Sequence, residues 1–524
     1  MIRFGLLVAV AALSGLAALW WSTAASRTAG GTASGRKSKA GGKPNVVLFL
    51  ADDMGYGDLG YSGHPTSRTP FIDNLAQNSR FFTHFYVPPV CSPSRASLMT
   101  GRYQVRSGIY PIVFTADSVY GLPTNETTIA AMLKPQGYKS MAVGKWHLGV
   151  GAENQYLPTN HGFDEYFGIP YSNDDCPCKI CLPNEGPCTD PVPSCFPENV
   201  ACPLFSNTTI VEQPVDLPTL TQRYVDHAIN FIQRTVADGD PFFLYMPFNH
   251  VHHPHFASAS HEGMNARGLF GDALAELDWA VGQVLKALKD QSLDDNTIVW
   301  FASDNGPSLM QHERGGSAGL LRCGKGTTWD GGVRTPAMVR WTGVITPGRS
   351  NALVSSMDIL PTIAAYTGGN VSALTLDGMD ITSVIQDNEV LGPRDFLAVY
   401  PEFPDKAQGP FAVIHGKYKA HFWTEGKFIA DHENYDPMCR PSHPLTKHDP
   451  PLLFNLHLDP GERYDLSGEE KYSDEIEMIR TWLAEHIASV DWMEPLTGAT
   501  DPRVQPCCGD VNCEPFPECC VCQA

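Results

Sequence analysis

Val46-Val47-Leu48-Phe49-Leu50-Ala51-Asp52-Asp53-Met54-Gly55 opens with six apolar residues and breaks directly into two adjacent carboxylates. A short unbroken apolar run bounded by turn residues is the pattern of a strand covered on both faces, as strands of parallel sheets are. The pattern recurs. Met141-Ala142-Val143 runs into Gly144-Lys145-Trp146-His147; Phe242 to Met246 leads to Asn249-His250-Val251-His252-His253; Ile298 to Ala302 delivers Ser303-Asp304-Asn305-Gly306. Helical periods lie between these runs, at Thr127 to Leu133 and at Asp272 to Leu288, where Leu274, Leu277, Val281, Val284, Leu285 and Leu288 share a face. The alternation predicts a three-layer α/β domain with a mainly parallel sheet. In such sheets ligands bind beyond the carboxyl ends of the strands. A single polar residue after a strand is usually a cap or turn residue, but four such strand ends predict one shared site.

The remaining sequence sets the class. A chain of 524 residues has room for two to four domains. Its 43% hydrophobic and 18% charged residues exclude a disordered, collagenous or polytopic membrane chain. With 57 Asp+Glu against 37 Lys+Arg the formal charge is −20, the wrong sign for a protein whose partner is nucleic acid. Protonating all 18 histidines in an acidic compartment would bring that charge to about −2.

Arg3, the apolar run Phe4 to Trp21 and the small residues Ser22 to Ser26 predict a cleaved signal peptide over residues 1–26, with an uncleaved anchor as the competing reading. Residues 27–43 have a leader's composition, a catalytic domain is expected over 44–385, and a smaller α+β domain with a cysteine-rich tail over 386–524. Within the latter, 396–400, 411–414 and 452–456 read as antiparallel strands and 473–486 as a helix. Secretory entry fits sequons at Asn125, Asn207 and Asn370. Fifteen cysteines include two bunches of six, Cys176 to Cys202 and Cys507 to Cys522. Disulfides are expected there rather than zinc knuckles, since neither bunch holds two C-x2-C pairs. Cys323 and Cys439 could then pair with each other, and Cys91 is left over.

Asp52, Asp53, Asp304 and Asn305 offer oxygen ligands in two adjacent pairs, which suits Ca²⁺ or Mg²⁺. Arg95, Lys145, His147, His252 and Lys325 gather positive charge around them, and cations near a metal repel one another unless an anion joins them. A sulfate or phosphate substrate is the implied anion. Cys91 precedes Pro93, which suits a first helical turn, while Gly101 suits the helix end. The thiol could be a low-pKa nucleophile or an unpaired disulfide half. Neither explains why Pro, Ser and Arg follow so closely.

The string Cys91-Ser92-Pro93-Ser94-Arg95-Ala96-Ser97-Leu98-Met99-Thr100-Gly101-Arg102 resembles the C-x-P-S-R-x-x-x-x-T-G-R signal of the type I sulfatases, and the resemblance runs from Pro44 to Cys522. Segments 144–151, 168–172, 321–328 and 417–422 are also similar to that family. The resemblance implies an alkaline phosphatase-like fold and the hydrolysis of sulfate monoesters. It further implies conversion of Cys91 to Cα-formylglycine by a formylglycine-generating enzyme, and Ca²⁺, with Mg²⁺ the lesser candidate, on Asp52, Asp53, Asp304, Asn305 and residue 91. The hydrated aldehyde would be the nucleophile and its second hydroxyl would expel sulfate. Arg95 and His147 would hold its oxygens, and Asp304 would help remove its proton. Lys145, Lys325 and Ser172 would bind sulfate. His252 would protonate the leaving alcohol, with Lys325 as a helper, and His250 would contact the bridging oxygen or only pack. A further substrate-contacting histidine would be His421 or His432. A lysosomal or extracellular location and a homo-oligomer are compatible with the resemblance. The rival readings are a phosphate or phosphonate ester hydrolase of the same superfamily and a catalytically silent binder of sulfated glycans.

Overall fold

The computed structural model describes residues 42–177, 199–387, 390–427, 436–509 and 512–522. The signal-peptide segment and nearly all of the leader lie outside these residues, as do Cys178, Cys181, Cys188, Cys195 and His432.

A ten-stranded sheet runs in the order Gly348–Ser350, Arg80–Phe82, Ala337–Arg340, Thr297–Ser303, Asn45–Ala51, Phe242–Pro247, Lys139–Val143, Glu165–Gly168, Leu204–Ser206, Thr209–Glu212. The five strands from Thr297–Ser303 to Glu165–Gly168 are mutually parallel, and antiparallel neighbours flank them on either side. Every residue of Asn45–Ala51, Phe242–Pro247 and Thr297–Ser303 is buried, which explains their unbroken apolar sequences. Each large aliphatic or aromatic side chain so buried stabilises by roughly 1.5–3 kcal/mol.

Two helical groups cover the sheet. Pro70–Gln77, Leu217–Asp238 and Gly268–Asp290 pack together, as do Cys91–Thr100, Ile129–Leu133 and Ile359–Thr367. The predicted helix over Asp272 to Leu288 is found, extended at both ends to Gly268–Asp290, with Leu274, Leu277, Val281, Val284 and Leu288 buried. The helix begun at Thr127 in the sequence reading starts at Ile129, because the Thr128 side chain caps it by accepting the Ala131 N–H.

A separate antiparallel sheet, Phe396–Val399, Ala412–His415, Tyr418–Thr424, Thr446–Asn455, forms the smaller C-terminal part. The helix Ser473–Ser489 lays Ile476, Ile479 and Leu483 on Val413, Ala420 and Leu453. Tyr418–Thr424 is a strand that the apolar pattern misses. Its alternate residues Lys419 and His421 are charged or polar and yet wholly buried, because they pair with the buried carboxylates of Asp330 and Glu462.

Cys323–Cys439 is bonded, as are Cys507–Cys520, Cys508–Cys522 and Cys513–Cys519 in the tail. The expectation that all fourteen remaining cysteines pair fails at Cys202. Cys176 is disulfide-bonded, whereas Cys202 is a buried free thiol whose backbone N–H lies 3.2 Å from the Cys176 sulfur.

Candidate active site

Strand register gathers the site. Ala51 is opposite Ser303 and Leu50 opposite Pro247, so the residues that follow, Asp52, Asp304 and the 249–252 segment, leave the sheet at one edge. Backbone bonds tie the exits together: Asp304 N–H donates to Ala51 O, Asp52 N–H to His250 O and Lys145 N–H to Pro247 O, at 3.1, 2.9 and 2.8 Å. Gly144 is required before Lys145. Its φ is +135°, and a Cβ there would stand 1.8 Å from Pro247 O. Gly306 after Asn305 is equally constrained, since a Cβ would meet Gly331 O at 1.8 Å. Asp53 and His147 both adopt left-handed φ of 59°, an uncommon conformation for residues with a side chain and one that clusters at functional sites.

Cys91 is the first residue of the helix Cys91–Thr100, one position further in than the sequence reading placed it, and Gly101 closes the helix with φ +69°. Its sulfur lies 3.5 Å from Asp52 Oδ1, 4.0 Å from Asp53 Oδ1 and 3.4 Å from Lys325 Nζ. Lys325 Nζ also donates to Asp53 Oδ1 at 2.7 Å and to His252 Nε2 at 3.2 Å. Lys145 Nζ is held by Asp52 Oδ2 at 2.5 Å and Ser172 Oγ at 3.0 Å. Asp52, Asp53, Asp304, Arg95, Lys145 and His252 are buried.

Arg95 donates through Nε and Nη2 to Asp304 Oδ2, at 3.0 and 2.9 Å, and through Nη1 to Lys145 O at 2.6 Å. It therefore braces the carboxylates, and no bond from it to residue 91 is formed. His147 Nε2 is bonded to Phe114 O at 2.8 Å, while its Nδ1 is buried without a partner. Burial, with Lys145 and Arg95 nearby, holds His147 well below the ordinary histidine range. Burial and the cations Lys325 and Lys145 do the same to His252.

His250 is engaged by neighbouring elements of the fold. Its Nε2 is shared between Thr221 Oγ1 at 2.9 Å and Glu276 Oε2 at 3.0 Å, and its ring packs on Phe256, which agrees with the packing alternative. His421 is fully buried, with Nε2 on Glu462 Oε1 at 2.7 Å. With Lys419, Asp330 and Glu462 it forms a buried charged cluster that sequence reasoning missed. The carboxylates and the Lys419–His421 strand come from three separate segments, and nothing in a single segment announces the pairing.

The donor set fits a hard cation. Asp52, Asp53 and Cys91 lie close enough to share an ion with His252, and Asp53 Oδ2 and Asn305 Oδ1 are buried without hydrogen-bond partners. Burial and Asp52 push the Asp304 carboxyl up to about 7, a charge conflict that a cation would relieve. Asp52, Asp53 and Asp304 balance Arg95, Lys145 and Lys325, so a divalent ion would leave the pocket doubly positive toward a bound anion.

These strand-end carboxylates and buried cations define a hydrolase site for an anionic ester. The chain belongs to the sulfatase family: the Sulfatase model matches residues 44–369 and the C-terminal region of aryl-sulfatase matches 392–522. It is similar to arylsulfatase A of Bos taurus, with 45% identity over 492 residues, covering 92% of this chain and 96% of that one. Arylsulfatase A of Homo sapiens is 44% identical over 488 residues, covering 91% and 95%. Among solved structures, the PsFucS1 sulfatase from Pseudoalteromonas sp. superposes with a TM-score of 0.74 at 28% identity, covering 86% of this chain and 93% of that one. The chain is a sulfuric ester hydrolase.

Proposed function

We propose that the chain hydrolyses sulfate monoesters of the aryl sulfate and sulfolipid kind, cerebroside sulfate included. Residue 91 acts after conversion to formylglycine, with Ca²⁺ on Asp52, Asp53, Asp304 and Asn305. The observation that carries the reading is the position of Cys91, at a helix N-terminus among Asp52, Asp53 and Lys325. The similarity to arylsulfatase A supports the substrate class.

When present, the hydrated aldehyde supplies a hydroxyl nucleophile and a second hydroxyl that releases sulfate, while the cation stabilises charge on the sulfuryl oxygens. The chain's own residues do the rest. Lys145, fixed between Asp52 and Ser172, and Lys325 bind the sulfate oxygens. Arg95 keeps Asp304 in place. His147 spends Nε2 on Phe114 O, so Nδ1 is its acceptor for a hydroxyl proton at residue 91. His252 Nε2 accepts from Lys325 Nζ, so the proton for the leaving oxygen is held on that pair.

Secretory entry with a signal peptide over 1–26, a catalytic domain over 44–385, maturation by a formylglycine-generating enzyme and lysosomal or extracellular residence belong to the same reading. The disulfides Cys323–Cys439 and those of the tail, together with the exposure of Asn125, Asn207 and Asn370, support it. The test is the mass of the peptide containing residue 91, together with turnover of matched aryl sulfate and aryl phosphate. Exchange of sulfur for oxygen and preference for the sulfate are expected. An intact thiol in a fully active preparation would overturn the mechanism.

A further inference from the structure

A cleft of about 750 Å³ is bordered by Tyr56, His64, His84, Arg334, Arg349 and His457 and shares no residue with the catalytic cluster. It lies where the loop after Asp53, the end of the strand Arg80–Phe82 and the turn after the C-terminal strand Thr446–Asn455 meet. We propose that it is a second, non-catalytic site that binds an acidic saccharide through sulfate or carboxylate groups.

Charge is the first reason. The chain has 57 acidic residues, yet none of the described residues bordering this cleft is acidic, and its ionisable side chains include two arginines and three histidines. The second reason is an unfilled bond. His84 is only 5% exposed, its Nδ1 is bonded to Thr83 Oγ1 at 2.8 Å, and its Nε2 has no partner. Buried polar atoms are normally satisfied, and a saccharide hydroxyl, which can donate or accept, would satisfy this one. The ring of His457 stands 5.0 Å away.

Donors on the other walls are prepared. His64 Nδ1 accepts the N–H groups of Thr66 and Ser67 at 3.3 and 3.2 Å, which puts the proton of the neutral ring on Nε2. Arg334 commits Nε to Thr83 O at 2.6 Å and Nη1 to Asp330 Oδ2 at 3.2 Å, with Asp330 behind it. Arg349 is exposed, and its guanidinium lies 5.0 Å from the Tyr61 ring and 5.9 Å from that of Phe81. That stacking orients a planar fork suited to sulfate or carboxylate. The third reason is size. A space of about 750 Å³ accommodates a small-molecule ligand of several rings, far more than one tetrahedral ion needs. Tyr56 and the 75% exposed Leu320 supply apolar surface for sugar faces.

The proposal stands apart from the sulfate-ester reading, and its test separates the two. Fluorescence anisotropy of a labelled sulfated tetrasaccharide is compared between the full chain and Arg349→Ala/His457→Ala, both exposed positions. Affinity is expected to fall at least tenfold while turnover of a small aryl sulfate stays within twofold. His457→Glu, which adds an acid to an exposed turn, provides the same test should the double variant fail to fold. Unchanged affinity in the folded variant overturns the site. Equal binding of an uncharged tetrasaccharide, lacking both sulfate and carboxylate, overturns the role of charge. Displacement of the tetrasaccharide by equimolar inorganic sulfate overturns the saccharide in favour of a lone-ion site.

Discussion

Lys325 Nζ lies 3.2 Å from His252 Nε2, closer to that ring than to the Cys91 sulfur at 3.4 Å. Burial and Lys325 hold His252 well below the ordinary histidine range, so on the proposed mechanism the lysine would carry the proton and the histidine would shape its delivery. His252→Ala is therefore expected to lower kcat by about 10²–10⁴-fold on esters of poorly acidic alcohols. On a nitrophenyl sulfate, whose leaving group needs no proton, the loss should stay below about tenfold. A leaving-group series measured on the variant and the wild type checks this, and an equal loss across the series would refute it.

Cys91→Ser keeps the size and hydrogen-bonding capacity of the side chain but blocks its ordinary oxidation. Turnover should fall by about 10³-fold or more while thermal unfolding stays near the wild-type midpoint. Steady-state kinetics and calorimetry on one preparation decide it.

Removing divalent ions should abolish activity and lower the unfolding midpoint, because Asp52, Asp53 and Asp304 are then crowded together in a buried space. Ca²⁺ should restore both more fully than Mg²⁺, since Asp52, Asp53, Asp304 and Asn305 crowd oxygen ligands that Ca²⁺ accepts more flexibly than Mg²⁺ does. Asp53→Asn should weaken the Ca²⁺ dependence of the midpoint.

Glu402 is 5% exposed with Oε2 unpartnered, and burial pushes its carboxyl from 4.5 up to about 7. Between those values the folded chain keeps a proton that the unfolded chain has released. The stability from this group is complete below about pH 4.5 and is lost as pH rises through about 7. Glu402→Gln should remove up to about 2–3 kcal/mol of that pH dependence. Denaturant unfolding from pH 4.5 to 8 measures it, and identical slopes in variant and wild type would contradict the assignment.

Cys323 and Cys439 are separated by 116 residues, and the first lies two positions before Lys325. Replacing both by serine should cost up to about 5 kcal/mol by the chain-entropy argument. It should also raise KM for a sulfate ester, because the Lys325 loop loses its anchor. A drop in midpoint with KM unchanged would leave the bond a purely structural role.

The parallel core was legible because burial on both faces writes itself as unbroken apolar runs, and the catalytic edge because each run ends in a polar group. Tyr418–Thr424 was not, since Lys419 and His421 are buried against Asp330 and Glu462, partners that lie 89 and 41 residues away. The partners of His250 and Arg95, Glu276 and Asp304, were equally invisible in the sequence. Register and burial assign such partners, and a linear pattern contains neither.

All ten residues of the Cys91–Thr100 helix are buried. No second protein can wrap an extended recognition strand around a segment whose backbone is already helical and whose side chains are all interior. On the proposed maturation, the enzyme that converts residue 91 would have to meet this stretch while the chain is still unfolded, so maturation would have a deadline set by folding itself. A variant that folds faster, or a cell that exports the chain before modification, would accumulate protein that is correctly built and permanently inert.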